Sequence, residues 1–312
     1  MKKETIVYIN GQFLPESQAR ISPFDHGLLY GDGIYETLRA CDQFVFRLDQ
    51  HLDRLFRSAR AIHLAIPATR EELKKAVAEV VRLNAYKESL VRIVITAGIG
   101  AGMGFRRTIK TPPTVLVIEV DRQSLGPLTK SDKEEKGLRA IIACARSIPP
   151  GCGVEARVKH NNYLNHIMVD LEADTAGVDV AISLDMNGFV TECSGANIYV
   201  AREGRIETPP GYVGILEGIT RQAIIDIARS EGIQASERML TPYDIYTSDE
   251  VFATSTLKGV VSIVEVDSRT IGEGKPGPIA DRMRAIYDQM LRKEKHESCT
   301  SNNPTSSMNV RR

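Results

Sequence analysis

Apolar positions in the first third of the chain alternate with the period of strands and then follow the spacing of helices. TIVYINGQFL predicts two strands joined at Asn10-Gly11, and GIYETLRACDQFVFR predicts a second hairpin that turns at Asp42-Gln43. We expect Asp49 to cap the helix that follows. One face of that helix is outlined by Leu52, Leu55, Phe56, Ala59 and Ile62.

The remaining chain continues this mixture of strands and helices. A second helix is predicted over 70–83, and the strands LVRIVITAG and PTVLVIEV follow, joined by a Gly-rich loop. After one more strand, a helix over 161–176 ends at Gly177, a residue type that suits the position after a helix. Two strand pairs, the helix TRQAIIDIARSEG, two further strands and a final helix over 278–292 complete the pattern.

A polar segment over 121–136, with a Gly-Pro pair and a run of charges, separates two regions of regular structure. We therefore expect an α+β protein whose two domains contain mixed and antiparallel strands. The smaller N-terminal domain is predicted over 1–120 and the larger domain over 137–295, with 121–136 as the linker. The polar residues 296–312 are expected to form a disordered tail.

Composition narrows the range of functions. The 312 residues include 40 basic and 40 acidic ones, so no excess of positive charge indicates a nucleic-acid partner. No apolar run reaches the roughly 18 residues of a membrane helix, and the N-terminus lacks the apolar core of a signal peptide. The cysteines are scattered and lack C-x-x-C spacing: Cys41, Cys144, Cys152, Cys193 and Cys299. This pattern indicates reduced thiols, so we expect a cytoplasmic enzyme without a metal site.

The glycine-rich run GIGAGMG does not fit a dinucleotide-binding fingerprint. Met103 and Phe105 occupy the positions around the third glycine of G-x-G-x-x-G, and the sequence that follows predicts a strand rather than a helix. We expect a hairpin loop here, and its backbone is a candidate lining for a substrate pocket.

Several short motifs carry candidate chemistry, but each alone has an ordinary structural explanation. Lys159 and Arg54 are most simply interpreted as solvated side chains, and Glu192 as a surface residue at the end of a strand. Thr220 could merely cap a helix, although the N-terminus of a helix also attracts anions. A hydroxyl cluster follows another strand and comprises Thr254, Ser255 and Thr256.

The order of these motifs resembles that of one enzyme family. An arginine on a helix, K-x-x-N-Y, T-E-x-S-x-A-N, L-x-G-I-T-R and a Ser-Thr pair follow one another within the span from about Val7 to Tyr287. The chain is thereby similar to the fold-type IV pyridoxal phosphate enzymes. That family includes branched-chain aminotransferases, D-amino acid aminotransferases, R-selective amine transaminases and aminodeoxychorismate lyases. The resemblance implies pyridoxal 5'-phosphate as the cofactor.

The resemblance also implies a role for each motif. Lys159 would bind the cofactor as a Schiff base and then carry the proton of the reaction. Glu192 would face the pyridine nitrogen, and Tyr163 would hydrogen-bond the phenolic oxygen. The implied cofactor-binding set, which includes the phosphate site, is Arg54, Lys159, Tyr163, Glu192, Leu216, Gly218, Ile219, Thr220, Ser255 and Thr256.

Within the family, the chain is most similar to branched-chain aminotransferases. This implies transfer of the amino group of L-leucine, L-isoleucine or L-valine to 2-oxoglutarate by a ping-pong mechanism, in a homodimer or larger homo-oligomer. The sequence departs from the branched-chain pattern at Thr37, where glycine is frequent, and after Thr256, where small residues are usual. The implied substrate-binding residues are Tyr30, Tyr35, Thr37, Arg39, Arg92, Leu257 and Lys258.

Three hypotheses are open at this point. The first is a branched-chain aminotransferase. The second is a D-amino acid aminotransferase, an R-selective amine transaminase or an aminodeoxychorismate lyase on the same scaffold. The third is a nucleotide-dependent oxidoreductase or a simple binding protein, which only the Gly-rich loop favours. Uptake of pyridoxal phosphate separates the third hypothesis from the others, and the accepted substrates separate the first two.

Overall fold

The first sheet is formed by the N-terminal strands. A computed structural model describes residues 4–105, 109, 111–128, 136–146 and 153–301. The six strands of this sheet are β1 (Ile6–Ile9), β2 (Gln12–Pro15), β3 (Gly33–Cys41), β4 (Phe44–Val45), β5 (Glu88–Thr96) and β6 (Val115–Asp121). They lie in the order β2-β1-β6-β5-β3-β4, and all neighbours are antiparallel.

Both predicted hairpins are confirmed in this sheet. Asn10 and Gly11 have φ values of 48° and 92°, and Asp42 and Gln43 have 45° and 68°. Two consecutive residues with positive φ are typical of the tight turns whose twist matches that of the flanking strands. Asn and Asp tolerate this conformation better than bulkier residues, so the turn chemistry was visible in the sequence.

Three helices accompany the first sheet: α1 (His26–Tyr30), α2 (Leu48–Ala61) and α3 (Arg70–Asn84). Helix α3 begins with a capping box in which Thr69 and Glu72 satisfy each other's backbone N–H groups. The apolar faces of α2 and α3 pack on the inner face of the sheet and form one core with Ile34, Leu38 and Val91.

The prediction that Asp49 caps α2 is wrong. The helix begins two residues earlier than predicted, and Arg47, in the left-handed region at φ 49°, is its N-cap without a side-chain hydrogen bond. Asp49 instead lies in the first turn, where its carboxylate pairs with Arg70 at 2.9 Å and Lys74 at 2.7 Å. Its charge therefore ties α2 to α3.

The second sheet contains nine strands. They are β7 (Leu138–Arg146), β8 (Val180–Leu184), β9 (Val190–Cys193), β10 (Asn197–Arg202), β11 (Arg205–Thr208), β12 (Ala235–Glu237), β13 (Glu250–Ser255), β14 (Gly259–Val266) and β15 (Arg269–Thr270). Their order is β12-β11-β10-β13-β14-β7-β8-β9, and β15 pairs with β14. Parallel pairing of β7 with β8 and β14 occurs within a mainly antiparallel sheet, which confirms the predicted α+β class with mixed strands.

Among the described residues of this part of the chain, the α-helices are α4 (Leu164–Ala176), α5 (Ile219–Ser230), α6 (Pro242–Tyr246) and α7 (Pro278–Ser301). Helices α5 and α7 pack on one face of the sheet around Tyr199 and Phe252, whose rings stack at 4.9 Å. A second apolar cluster, which includes Leu240 and Ile263, is built on the same strands.

The start of α4 and the end of α7 differ from the prediction. Helix α4 ends at Gly177 as expected, but it begins at Leu164 because the preceding asparagines bind the backbone of the first sheet. Helix α7 extends past Arg292 to Ser301, since the Lys and Glu residues there favour a helix. The expected disordered tail over 296–312 is therefore helical at its start, and 302–312 lie outside the described residues.

The two sheets divide where the linker was expected. Strand β6 ends at Asp121, a 3₁₀ segment covers Arg122–Leu128, and β7 begins at Leu138. Part of the predicted linker, 129–135, lies outside the described residues. The domain boundaries themselves stay a prediction.

Helix α3 offers a test of the first core. We expect Leu73→Ala, at a fully buried position, to lower the free energy of unfolding by about 2–5 kcal/mol, because it removes apolar contacts and leaves a cavity. Lys75→Ala on the exposed face of the same helix should change it by less than about 0.5 kcal/mol. Urea unfolding followed by circular dichroism measures both, and equal effects would contradict the assigned core.

Candidate active site

Lys159 is placed by backbone pairing with the first sheet. The N–H of Tyr35 donates to the carbonyl of Lys159 at 2.8 Å, and the N–H of Asn161 donates to the carbonyl of Gly33 at 3.0 Å. The edge of β3 that β4 leaves uncovered thus holds the segment between β7 and α4. Lys159, which precedes α4, is thereby fixed against β3 of the first sheet.

The Lys159 ammonium lies between two tyrosine rings. Its Nζ is 4.6 Å from the ring centroid of Tyr35 and 5.9 Å from that of Tyr163, which are distances at which a cation is attracted by an aromatic face. Tyr163 in turn stacks on His166 at 4.3 Å. Burial raises the pKa of Tyr163 and lowers that of His166 to about 4, so the phenol and the imidazole are both neutral at pH 7. Lys159 is therefore half-buried and held, unlike a solvated surface lysine.

Glu192 on β9 is buried and lies close enough to Lys159 for the charge of the lysine to act on it. Its Oε2 accepts hydrogen bonds from Asn197 Nδ2 at 2.9 Å and from the backbone N–H of Leu216 at 3.2 Å. Burial raises the pKa of Glu192 to about 8, although the N–H of Leu216 and the charge of Lys159 act in the opposite direction. A carboxyl in this position gains most from a positively charged ligand atom placed next to it.

Arg54 on α2 reaches across to the second sheet region. Its Nη1 donates to the carbonyl of Glu217 at 2.8 Å, while its Nε and Nη2 each donate to the Glu36 carboxylate at 2.7 Å. A guanidinium has five N–H groups, so two N–H groups have no recorded bond to the described part of the chain. Arg54 is 5 % exposed, which excludes the interpretation as a solvated arginine.

The N-terminus of α5 lies next to this guanidinium. Its N-cap, Gly218, brings no side chain to bond the first turn, and Thr220 within that turn is buried. The first N–H groups of a helix that lacks a side-chain cap are a natural anion site. Thr220 lies close enough to Tyr287 of α7 to lower the pKa of that phenol, although burial raises it overall.

Gly218 is required by a close approach. A Cβ atom at this position would lie 2.1 Å from Asn197 Oδ1. Asn197 is the residue that binds Glu192 and also donates to the carbonyl of Leu216 at 2.8 Å. The same glycine therefore permits both the open helix terminus and the fixed carboxyl.

The end of β13 brings hydroxyl groups to the site. Ser255 Oγ accepts a hydrogen bond from the N–H of Lys258 at 3.1 Å, which closes the turn that holds Thr256 and Leu257. The Thr254 hydroxyl is buried without a partner among the residues that the structure describes. The charge of Lys258 lowers the pKa of Cys193, which burial nevertheless raises to about 12.

Three of the predicted substrate residues form one group. Arg92 Cζ lies 4.7 Å above the ring centroid of Tyr35, and Arg92 Nε donates to Thr37 Oγ1 at 3.3 Å. Tyr35 thus has the Lys159 ammonium and the Arg92 guanidinium against the same ring. This group places a positive charge and an aromatic surface next to the amine.

Tyr30 and Arg39 lie outside this group. The Tyr30 hydroxyl donates to the carbonyl of Met103 at 2.6 Å, so it is bound to the Gly-rich loop. Arg39 Nη2 pairs with Glu88 at 3.4 Å, and it follows Tyr35 by four residues of extended strand, roughly 13 Å. The structure does not bring Arg39 to the lysine, since its charge is paired at the other end of β3.

The predicted residue set omitted three polar residues that shape the site. Glu36 and His51 surround Arg54, and Asn197 holds Glu192. The sequence did contain a signal for Glu36. This residue occupies the apolar face of β3 together with Ile34 and Leu38, where a charge needs a partner. His51 precedes Arg54 by three residues and so lies on the same side of α2. No comparable signal marked Asn197.

The arrangement combines an amine, a buried acid and a candidate anion site in one part of the fold. This combination suits a ligand that carries a reactive carbonyl for Lys159, a cationic ring atom for Glu192 and a phosphate for α5 and Arg54. A dinucleotide fold is not present around the Gly-rich loop, where Gly100 forms a bridge with Ile109 and no described helix follows.

Comparison with known families agrees with this geometry. A family model described as amino-transferase class IV matches residues 33–266, which contain Lys159, Glu192 and both halves of the anion site. The chain belongs to the class IV aminotransferases. The predicted family, and with it the prediction of a transaminase, are confirmed. The third hypothesis, an oxidoreductase or a simple binding protein, is excluded.

Relatives of this aminotransferase resemble it over nearly their whole length. A Methanocaldococcus jannaschii chain, provisionally named a branched-chain-amino-acid aminotransferase, is 40 % identical over 288 residues, which are 92 % of this chain and 96 % of the relative. The branched-chain-amino-acid aminotransferase of Escherichia coli K12 is 30 % identical over 292 residues, 92 % of this chain and 93 % of the relative.

Solved structures confirm the fold-type IV architecture of this aminotransferase. A branched-chain amino acid aminotransferase from T.th., in complex with N-(5'-phosphopyridoxyl)-L-glutamate, superposes with a TM-score of 0.85 at 32 % identity, over 93 % of this chain and 95 % of that one. The Thermoproteus uzoniensis branched-chain aminotransferase with norvaline also gives 0.85 at 32 % identity, over 95 % and 97 %.

The described part of the aminotransferase offers neither a metal cluster nor a membrane-spanning helix. Within the described ranges, no three His, Cys, Asp or Glu side chains come together in a way that could hold a metal ion. None of the helices in those ranges combines the length and the apolar character that a membrane span needs.

Gly218→Ala tests the close approach at the helix terminus. The new methyl group displaces Asn197, so we expect the free energy of unfolding to fall by about 1–3 kcal/mol. Gly195→Ala is the matched control, because a Cβ there meets no atom within 4 Å, and it should change stability by less than about 0.5 kcal/mol. Thermal unfolding measures the stability of both variants. Equal losses of stability would show that the contact between position 218 and Asn197 does not require glycine.

The raised pKa of Glu192 predicts a pH dependence of stability. The folded chain binds the Glu192 proton up to a pKa of about 8, whereas the unfolded chain loses it near 4.5. Between these values the folded state holds more protons, so rising pH destabilises it by up to about 1.4 kcal/mol per pH unit. Glu192→Gln removes this dependence.

Urea unfolding of cofactor-free protein checks that expectation. The unfolding free energy of the Glu192→Gln variant minus that of the wild type should increase from about pH 5 to 8 and level off above this range. A difference that stays constant across the range would mean that Glu192 titrates normally.

Proposed function

We propose that this class IV aminotransferase uses pyridoxal 5'-phosphate to move the amino group of L-leucine, L-isoleucine or L-valine to 2-oxoglutarate in a ping-pong cycle. The observation that carries the proposal is the convergence of Glu192 and Arg54 on the segment just before α5, with Lys159 near Glu192. Glu192 accepts the N–H of Leu216, Arg54 donates to the neighbouring carbonyl of Glu217, and the Lys159 charge acts on Glu192. The names and ligands of the relatives support the substrate class.

The residues present fit the cofactor. Its phosphate would lie against Ile219, Thr220 and Arg54, where N–H groups, a hydroxyl and a guanidinium are available. Ser255 and Thr256 would complete this cradle from the end of β13. Glu192, whose charge is costly to bury, would pair with the protonated pyridine nitrogen.

When bound, the cofactor supplies an electron sink for the carbon that loses its proton. Lys159 would accept and return this proton at its Nζ, because the Tyr35 and Tyr163 rings hold the amine in place. Tyr163 is neutral and keeps its hydroxyl hydrogen, so it would donate a hydrogen bond to the ring oxygen of the cofactor. Glu192 maintains the positive ring nitrogen.

The substrate side must accept two kinds of side chain in turn. Tyr35 offers an apolar surface to leucine, and Arg92 offers a guanidinium to the distal carboxylate of 2-oxoglutarate or glutamate. Solved structures of the T.th. relative contain N-(5'-phosphopyridoxyl)-L-glutamate and 4-methylvaleric acid, an acidic and an apolar ligand. We assign Arg92 rather than Arg39 to the carboxylate, since Arg39 is paired with Glu88.

We infer a cytoplasmic homodimer. Exposed apolar side chains are concentrated near Tyr30 and the Gly-rich loop, where Leu28, Met103 and Phe105 are 69 %, 83 % and 76 % exposed. A patch of this kind favours an interface with a second copy. Cys41, Cys144 and Cys193 are free thiols, which agrees with a reducing compartment. The zero net charge supports small amino acids and 2-oxo acids as partners rather than nucleic acids.

A substrate panel tests the proposal. Purified protein should show the visible absorbance of bound pyridoxal phosphate and should form glutamate from L-leucine and 2-oxoglutarate. Lys159→Ala should abolish this activity by at least about 10³-fold, because the proton carrier is lost. Lys87→Ala, an exposed lysine elsewhere in the chain, should retain wild-type activity.

The same panel includes D-alanine and aminodeoxychorismate. Activity with D-alanine but not with L-leucine would identify a D-amino acid aminotransferase, and pyruvate release from aminodeoxychorismate would identify the lyase. Failure of the wild type to take up pyridoxal phosphate would refute the proposed cofactor.

A further inference from the structure

Glu36 is a charged residue on the apolar face of a strand. It alternates with Ile34 and Leu38 on the face of β3 that packs against α2, and its side chain is fully buried. Taking a carboxylate out of water is costly unless partners compensate for the lost solvation. The tyrosine that contacts Lys159 is its neighbour on the opposite face of the strand.

Two residues of α2 provide this compensation. Arg54 Nε donates to one Glu36 oxygen and Nη2 to the other, both at 2.7 Å, and His51 Nδ1 lies 2.7 Å from Oε2. Burial raises the pKa of Glu36, but the charge of Arg54 and the hydrogen bonds from Arg54 and His51 outweigh it and bring the pKa down to about 2. Burial lowers the pKa of His51, so the neutral ring donates its Nδ1–H to the carboxylate.

This bonding fixes the plane of the guanidinium. A carboxylate that accepts from Nε and Nη2 in parallel allows the Arg54 side chain one orientation. In that orientation Nη1 meets the carbonyl of Glu217, the residue before the N-cap of α5. The Glu36 carboxylate is therefore connected through Arg54 to the helix terminus that would bind phosphate.

We propose that Glu36 and His51 are positioning residues that hold the Arg54 guanidinium against the N-terminus of α5 and so set the affinity of the site for the phosphate group of its ligand. The proposal rests on the proposed function, because the ligand is taken to be pyridoxal phosphate. It adds two residues that touch neither substrate nor cofactor and act through Arg54.

If Glu36 acted only through its charge, its removal would change the affinity for phosphate in the direction opposite to that expected for a positioning residue. Removal of the Glu36 carboxylate leaves the Arg54 charge less compensated, which by simple Coulomb attraction strengthens binding of an anion. Removal of the carboxylate as a positioning group leaves the guanidinium without its bidentate partner, which weakens binding. The sign of the change in affinity separates these two roles.

Two ligands measure the contribution of the phosphate. Full-length protein is equilibrated with pyridoxal phosphate or with pyridoxal, which lacks the phosphate, and the bound ligand is quantified by its absorbance. We expect Glu36→Gln to raise the Kd for pyridoxal phosphate at least about tenfold, because the displaced Arg54 loses its charged hydrogen bonds to the phosphate. The Kd for pyridoxal should stay unchanged, because that ligand has no phosphate for Arg54 to bind. General destabilisation would instead weaken both ligands alike.

Further variants keep the test informative. Glu36→Asp retains the charge but shortens the side chain. A positioning role predicts that the phosphate then contributes less to affinity, whereas pure charge compensation predicts no change in that contribution. His51→Ala should change the ratio of the two Kd values in the same direction by a smaller factor, because both Arg54 bonds to Glu36 persist. Asp53→Asn is the matched control: this exposed carboxylate of α2 pairs with Arg70 and should leave the ratio unchanged.

The outcomes separate the two proposals. A wild type that binds pyridoxal phosphate, combined with an unchanged or increased phosphate contribution in Glu36→Gln and Glu36→Asp, would overturn the positioning role alone. A wild type that takes up no pyridoxal phosphate would refute the proposed function and this role with it. A selective loss of phosphate affinity in the variants, with Asp53→Asn unaffected, supports the role.

Discussion

Backbone hydrogen bonds between β3 and the segment around Lys159 bring the two sheet regions together at the site. The N–H of Tyr35 donates to Lys159, and the N–H of Asn161 donates to Gly33. This pairing uses main-chain groups, which every residue carries, so it sets the position of the lysine independently of its own side chain. Because Tyr35 is part of the same pairing, the ring that faces the amine is placed by the same bonds.

Two buried carboxyls near Arg54 and Lys159 have pKa values shifted in opposite directions. The charge of Arg54 and the hydrogen bonds from Arg54 and His51 outweigh the burial of Glu36, so that carboxyl stays ionised with a pKa of about 2. Glu192 has no arginine in direct contact among its recorded bonds to described residues, and burial raises its pKa to about 8. The first carboxylate therefore serves the structure of the site, and the second is suited to a cationic ligand atom.

Side chains on the same face of β3 have different partners, depending on their position along the strand. Tyr35, Thr37 and Arg39 point to the same face of β3 because strands alternate with period two. The first two meet Arg92, which lies opposite Thr37 in the register with β5. Arg39 lies farther along, where Glu88 neutralises it. The register with β5 thus selects Arg92 as the arginine beside the lysine.

Hairpins, amphipathic helices and the order of the motifs could all be inferred from the sequence, because turn chemistry and periodicity are local properties. Lys159 was identifiable only through that order, since nothing in its immediate neighbours distinguishes it. The partners of Arg54 could not be inferred in the same way. Glu36 lies 18 residues away in the chain, and its bond to Arg54 depends on how α2 packs across β3.

The sequence by itself determined which residue types the chain brings to an amino-transfer site and in what order. Only the tertiary structure decided which of them lie together: Tyr35 with Lys159, Glu192 with Asn197, and Arg39 with Glu88. The physical reason is that hydrogen bonds and ion pairs act over a few ångströms. Packing of the sheets and helices sets those distances between residues that are remote in the chain.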